Sequence, residues 1–242
     1  MADGTPPHTT PRRGALAVLG SAALFGTTGT ARAILVPDAA GTAVASLRLL
    51  VGAAGLVVVA IARGQGRDLA TLWRRPAVWA MGAAVAAYQA LFFVGTARAG
   101  VAVAALIALG CAPFLAGLLG WAMREGAPGW RWAGATAVAV VGLALLVAGN
   151  LDGGDALGML AALGAAGAYA VYAVLGVRLS RSGGDGPTVL AASFSVGALL
   201  LVPYVIGASW WLTPAGLGLV LWLGVITTTL AYVLFGIGLR VL

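Results

Sequence analysis

The sequence predicts an all-α polytopic membrane protein, and three observations predict it. Of its 242 residues 61% are hydrophobic and 9% charged, with a mean hydropathy of +1.01. A soluble domain carries roughly 25% charged residues, so this chain has too few to solvate a globule of its size. Its apolar residues run in continuous blocks of about 20, the length that crosses a bilayer as a helix, and do not alternate as the strands of a membrane barrel do. Finally, the chain contains a weak copy of itself. Gly14–Leu35 aligns with Gly158–Leu179, where Gly14, Leu16, Ala17, Leu19, Gly20 and Ala22 recur as Gly158, Leu160, Ala161, Leu163, Gly164 and Ala166. Gly82, Phe93 and Arg98 likewise recur as Gly224, Phe235 and Arg240. Duplicated halves built of apolar helices are a signature of secondary transporters.

Eight segments qualify as spans: 14–36, 42–62, 77–97, 100–123, 132–148, 156–177, 188–211 and 214–239, with Gly, Pro, Asp or Arg at their ends. In the first, Ser21, Phe25, Thr28 and Arg32 are spaced to share one helix face, and the copy places Ala165, Tyr169, Tyr172 and Gly176 on the matching face of the sixth. Phe25/Thr28 and Tyr169/Tyr172 are expected to line a central cavity. The plainer reading is that Thr bonds its own backbone while the aromatics fill packing gaps. In the second span Arg48 lies six residues in, about 9 Å from the end at 1.5 Å per residue, within a hydrocarbon half-thickness of about 15 Å. No carboxylate lies inside any span. Arg48 is either a snorkelling anchor or a positive group aimed at an anionic ligand.

The third span carries Tyr88 and Gln89, and the eighth carries Thr227, Thr228, Thr229 and Tyr232 at the matching depth, with Thr228 and Tyr232 on one face. Ser193 and Ser195 are weaker polar groups in the seventh span. Pro113 and Pro203 are expected inside helices, kinking them. Trp130, Trp132, Trp210 and Trp211 fall near span ends, as an aromatic belt does.

The net charge of +7 would suggest nucleic acid in a soluble protein. Here the charge sits in short loops and sets orientation instead. With the N-terminus in the cytoplasm, Arg12, Arg13, Arg63, Arg67, Arg74, Arg75, Arg124, Arg131, Arg178, Arg181 and Arg240 fall inside and Arg98 alone falls in an outside loop. The repeat then acquires a direction: Arg98 ends its span outside and Arg240 ends its span inside, so the second half is expected to be inverted. Residues 1–33 also read as a secretory signal ending at Ala31-Arg32-Ala33. The match of the first span to the internal sixth argues that it is retained.

No phosphate-binding loop, H-E-x-x-H or G-x-S-x-G motif is present, and no intramembrane carboxylate pair could act as acid and base. Neither an enzyme nor a cofactor is expected. Cys111 is the sole cysteine and His8 the sole histidine, so no disulfide framework or metal cluster is expected.

The runs AALFGTTGTARAIL, ASLRLLVGAAGL, the long stretch from AYQALFF to VVGLALL, and LGVITTTLAYVLFGIGLRVL resemble the helices of EamA-like transporters in the drug/metabolite transporter superfamily. Arg48 falls at the family's second-helix Arg, Pro113 at its fourth-helix Pro and Glu125 at its Gly-Glu-like end, with Arg124 preceding the Glu. The resemblance implies two inverted five-helix repeats. It divides the chain into a cytoplasmic tail (1–13), a first repeat (14–148), a linker (149–155) and a second repeat (156–242) of three helices, with the ninth and tenth lacking. The function expected is secondary transport of small metabolites, amino acids or drugs, as an exporter in the cell membrane working by alternating access. The residues expected to bind substrate are Phe25, Thr28, Arg48, Gln89, Tyr169, Tyr172, Thr228 and Tyr232, with Arg48 orienting an anionic group. The partners are the lipid bilayer and a small solute, with no nucleic acid. The alternative is a non-transporting membrane subunit, or a decayed carrier, in which a second copy or a partner subunit would supply the lacking helices.

Overall fold

The computed structural model describes residues 11–124, 129–148 and 155–241, so His8, Glu125 and most of the expected linker lie outside the described residues. Ten α-helices follow in order: α1 (Pro11–Leu35), α2 (Gly41–Ala62), α3 (Gly66–Trp73), α4 (Pro76–Ala99), α5 (Val101–Ala122), α6 (Trp130–Ala148), α7 (Ala156–Arg181), α8 (Gly186–Leu201), α9 (Pro214–Leu221) and α10 (Ala231–Val241). Among the described residues seven spans are long and apolar enough to cross a membrane: α1, α2, α4, α5, α7, α8 with the turn after it, and α9 running into α10. The expected fifth span, 132–148, forms α6 but is not among these seven.

Three local features depart from the expected spans. Residues 63–76 are not a plain loop. The short helix α3 there buries Leu69 and Leu72 and turns its charged residues outward. The α-helix of the seventh span ends at Leu201 and the span itself at Val205 rather than 211. Pro203 sits in a 3₁₀ turn, Val202–Val205, so it terminates the helix rather than kinking it. Pro113, by contrast, stays inside α5. The eighth span is broken in winding: Trp222–Leu230 forms a π-helix between α9 and α10. Its cause is local. Thr228 donates to the Leu223 carbonyl at 2.8 Å and Thr229 to the Gly224 carbonyl at 3.1 Å, each five residues back. Thr227 donates to the Leu223 carbonyl at 2.9 Å. Two of three consecutive hydroxyls thus reach carbonyls five residues back, the spacing of the wider winding. Such segments are rare and gather at functional sites.

Helix α4 packs most extensively on α7, which also carries α5; α1 packs on α10, α2 on α8 and the π segment, and α4 on α8. Small residues set these crossings. A Cβ added at Gly158 would lie 2.6 Å from the Ala99 nitrogen and 2.7 Å from the Arg98 Cβ. One added at Gly82 would meet Val196 and the Ser193 carbonyl, and one at Gly224 would meet Val51 and the Gly52 nitrogen. Close backbone approach of this kind is how helices associate where lipid offers no hydrophobic drive. The main core runs through α2, α3, α4 and α8 around Leu56, Leu69, Val78, Met81 and Val189. Leu16, Leu19, Ile34, Val58 and Leu145 point outward, as lipid-facing residues do.

The two ends of the bundle differ. Arg75 donates to Ser182, Arg178 to the Met123 carbonyl, and Thr188 to Gln65, tying the arginine-rich segments together at one end. At the other end Arg32 donates to the Ala39 carbonyl, and Arg98 bonds Asp155 at 2.8 Å. Asp155 also caps α7 by accepting from the Leu157 amide. The Arg98 hydrogen bond, helped by that amide, holds the Asp155 carboxyl below the usual carboxylate range. Gly100, at φ 85°, joins α4 to α5 in a single residue, a backbone angle that Gly alone adopts freely.

Candidate functional site

A cavity of about 470 Å³ lies between the helices, within the range of about 300–1,000 Å³ typical of small-molecule sites. Phe25 and Thr28 reach it from α1, Arg48 and Leu49 from α2, Val85, Tyr88 and Gln89 from α4, and Leu109 from α5. Tyr169 and Tyr172 come from α7, Phe194 from α8, Thr228 from the π segment and Tyr232 from α10. All eight residues that the sequence singles out therefore surround one space. Five lining residues were not among them: Leu49, Val85, Leu109, Tyr88 and Phe194. The first three are ordinary apolar residues in apolar helices and carry no sequence signal. Tyr88, beside Gln89, and Phe194, between two serines, carried a faint one.

Six aromatic rings form a continuous chain around the cavity. Phe25 meets Tyr232 with centroids 5.2 Å apart, and Tyr232 meets Phe194 edge-on at 5.1 Å and 89°. Phe194 then lies 6.1 Å from Tyr172, Tyr172 5.6 Å from Tyr169, and Tyr169 5.7 Å from Tyr88. Edge-to-face and tilted pairs at these distances are the favoured arrangements of aromatic quadrupoles.

Among the described residues Arg48 is the only charged one in the lining. It shares the lining with Tyr88 and Tyr232. Among the described residues it has no carboxylate partner. Its six-residue depth left two readings open, and its side chain is directed to the cavity.

The remaining polar residues of the spans divide clearly. Ser193 and Ser195 donate to the Val189 and Ala191 carbonyls of their own helix, and Thr227 does likewise. Thr229 donates across to the Gly52 carbonyl of α2 at 3.2 Å, stitching two helices together. These hydroxyls are spent on backbone. Of the face Ser21, Phe25, Thr28 and Arg32, the middle two line the cavity; Ser21 is buried, and Arg32 is held near the α1 terminus.

A second hollow of about 540 Å³ opens beside the first, toward the arginine-rich end, lined by α4, α7, α8 and α10 residues including Met81, Gly176, Arg181, Pro187 and Phe235. Tyr172 and Tyr232 belong to both hollows and form the partition between them. At the opposite end, the ring of Phe93 lies directly on Gly41, and the small hollow there has no room for a water molecule.

The EamA-like transporter family model matches residues 12–148, more than half of the chain. The chain belongs to the EamA-like transporter family. An uncharacterised transporter of Bacillus subtilis (strain 168), YwfM, is 36% identical over 228 residues, which cover 93% of this chain and 76% of that protein. One solved crystal structure superposes with a TM-score of 0.69 at 25% identity, covering 94% of this chain and 79% of its own. With seven apolar spans, this EamA-like chain is a multi-pass membrane transporter.

Proposed function

We propose that the chain moves small organic solutes across the cell membrane by alternating access, as an exporter with its N-terminus in the cytoplasm, and that the aromatic cavity is where the solute binds. The observation that carries this reading is the convergence of eight intramembrane polar and aromatic side chains from α1, α2, α4, α7, the π segment and α10 on one space of about 470 Å³. The path is supported by the two hollows. At one end Phe93 lies on Gly41 beside a hollow too small for water, and toward the arginine-rich end Tyr172 and Tyr232 stand between the cavity and the second hollow. With that end facing the cytoplasm, the solute would enter through the second hollow.

Alternating access needs two halves that exchange roles, and the packing supports an inverted repeat with halves 14–148 and 156–242. The α4 crossing on α8 at Gly82 and Val196 is matched by the π-segment crossing on α2 at Gly224 and Val51. The pair α4 with α7 is matched by α10 with α1.

Arg48 orients an anionic group of the solute. Vesicles carrying the protein should accumulate or release a transported solute faster than empty vesicles, and Arg48→Ala should remove the difference. Equal rates with and without protein would overturn transport; an intact Arg48→Ala carrier would overturn that residue's role.

A second reading, that the bundle works with further helices supplied by a second copy or a partner subunit, is favoured by α1. Ala162, Ala166 and Ala170 of α7 are buried, with α5 packed on that helix. Their repeat mates Val18, Ala22 and Gly26 are half-buried or exposed. Co-purification of a stoichiometric partner, or a stable dimer in detergent, is the outcome expected on this reading. A lone, monodisperse chain that transports would remove it.

A further inference from the structure

We infer that the solute of this cavity is an aromatic monocarboxylate, a flat body of one or two rings bearing a single negative charge, bound in preference to the corresponding amino acid, amine or amide. The inference rests on the reading of the cavity as the transport site and adds the chemical class of what fills it.

The charge balance comes first. Arg48 is the one charged group in the lining, and no carboxylate answers it among the described residues. In a low-dielectric interior an uncompensated cation is costly, and its cheapest partner is a countercharge brought by the ligand. A monoanion neutralises the site. A neutral solute leaves Arg48 unpaired, and a cationic one adds a like charge, which outweighs the attraction of ring faces for cations. A zwitterionic amino acid satisfies Arg48 but brings an ammonium group for which the lining offers only neutral acceptors, such as Gln89, Thr28 and the phenols. Burying that second charge unpaired costs affinity, so removal of the amino group should improve binding.

The rings define the body of the ligand. Phe25, Tyr232, Phe194, Tyr172, Tyr169 and Tyr88 follow one another in contact around the space, in three edge-on and two tilted pairs. An inserted ring meets both faces and edges of its neighbours and extends the same chain of contacts. An aliphatic tail would fill the volume without using that geometry. The Thr228 hydroxyl is already committed to the Leu223 carbonyl. That leaves Arg48, Gln89, Thr28 and the phenol hydroxyls to meet one polar head group in a lining that is otherwise aromatic and aliphatic.

Equilibrium dialysis against the full chain in phosphatidylcholine nanodiscs tests this, with 3-phenylpropanoate, its primary amide, 3-phenylpropylammonium, phenylalanine and octanoate as probes. The expected result is that 3-phenylpropanoate binds at least tenfold more tightly than the amide, the ammonium and phenylalanine, and severalfold more tightly than octanoate. Arg48→Gln should bring its affinity down to that of the amide, while Arg48→Lys keeps the preference for anions and reports that the site is folded. Tyr169→Phe should keep most of the affinity and Tyr169→Leu should lose several-fold. Binding of the amide or the ammonium as tight as that of the acid overturns the charge assignment, and octanoate binding as tightly as 3-phenylpropanoate overturns the aromatic one. No measurable binding of any probe, by protein that still carries solute in vesicles, overturns the substrate class and leaves the transport reading standing. Tight binding of 3-phenylpropanoate that ignores both Arg48→Gln and Tyr169→Leu would place the ligand elsewhere and remove the cavity from the transport reading as well.

Discussion

Replacing Gly158 with alanine should destabilise the fold, although alanine is the better helix former. The methyl group would stand 2.6 Å from the Ala99 nitrogen, 2.7 Å from the Arg98 Cβ and 3.0 Å from the Ala99 Cβ. Ordinary carbon contacts begin near 3.5 Å, so α4 and α7 must separate by somewhat under 1 Å at their tightest crossing. Overpacking of this size costs about 1–3 kcal/mol, against a gain of roughly 0.5–1 kcal/mol from removing glycine from a helix. The net expectation is a loss of up to about 2.5 kcal/mol, centred at about 1. Gly167, on the same helix, is the control. A Cβ there meets nothing within 4 Å, so Gly167→Ala should be stabilising by the helix term alone. Intrinsic tryptophan fluorescence during heating in detergent reads both variants in one experiment, since the chain has eight Trp. Equal transitions for the two variants would refute the claim that backbone contact at residue 158 sets the α4–α7 crossing.

Other consequences are open to measurement. Because the Asp155 carboxyl is held below its ordinary value, the Arg98 bond should add stability above the usual carboxylate range and lose it as pH falls through the lowered value. The thermal transitions of wild type and Asp155→Asn should therefore differ by a constant amount from pH 8 to pH 5 and converge below about pH 4; a gap that widens in acid would contradict this. Tyr232→Ala should join the two hollows into one, so that a solute held in the cavity exchanges with the arginine-rich side faster than in wild type, measured by release from preloaded protein. Unchanged release would mean that the partition lies elsewhere. Thr229→Val removes the hydroxyl shared between Gly52 and Gly224. It should cost about 0.6 kcal/mol, the average of an interhelical hydrogen bond in a membrane protein; a loss several times larger would mean that the π winding itself depends on Thr229.

Much of this architecture is written openly in the sequence. Continuous apolar blocks leave few alternatives to spanning helices, and the intramembrane polar residues are rare enough that each marks a place of interest. Phe25 and Thr28 share a face of α1 and Tyr169 and Tyr172 the matching face of α7 by simple helical spacing, and all four meet the same space as Arg48. What the sequence conceals is which hydroxyl is free. Ser193, Thr227 and Thr228 look alike in a string of letters, and only the carbonyl each one faces distinguishes them. The apolar walls are hidden for a related reason: Leu49, Val85 and Phe194 are buried like core residues and differ from them only in what lies opposite. The break after Leu201 is not legible because Pro203 is compatible with either a kink or a stop, and the winding of Trp222–Leu230 is hidden because a π turn has no composition of its own beyond the run of three threonines.

That run of threonines gives the last helix a store of slack. A π turn holds about one residue more than an α turn. Rewinding it would release that residue and turn everything beyond it by about 100° around the helix axis. Tyr232 and Phe235 follow immediately, so the same small change of winding would swing the shared tyrosine wall away from one hollow and redraw the other. The Thr228 and Thr229 bonds to carbonyls five residues back hold that slack in place, local, individually weak, and positioned where release would be felt on both sides of the partition.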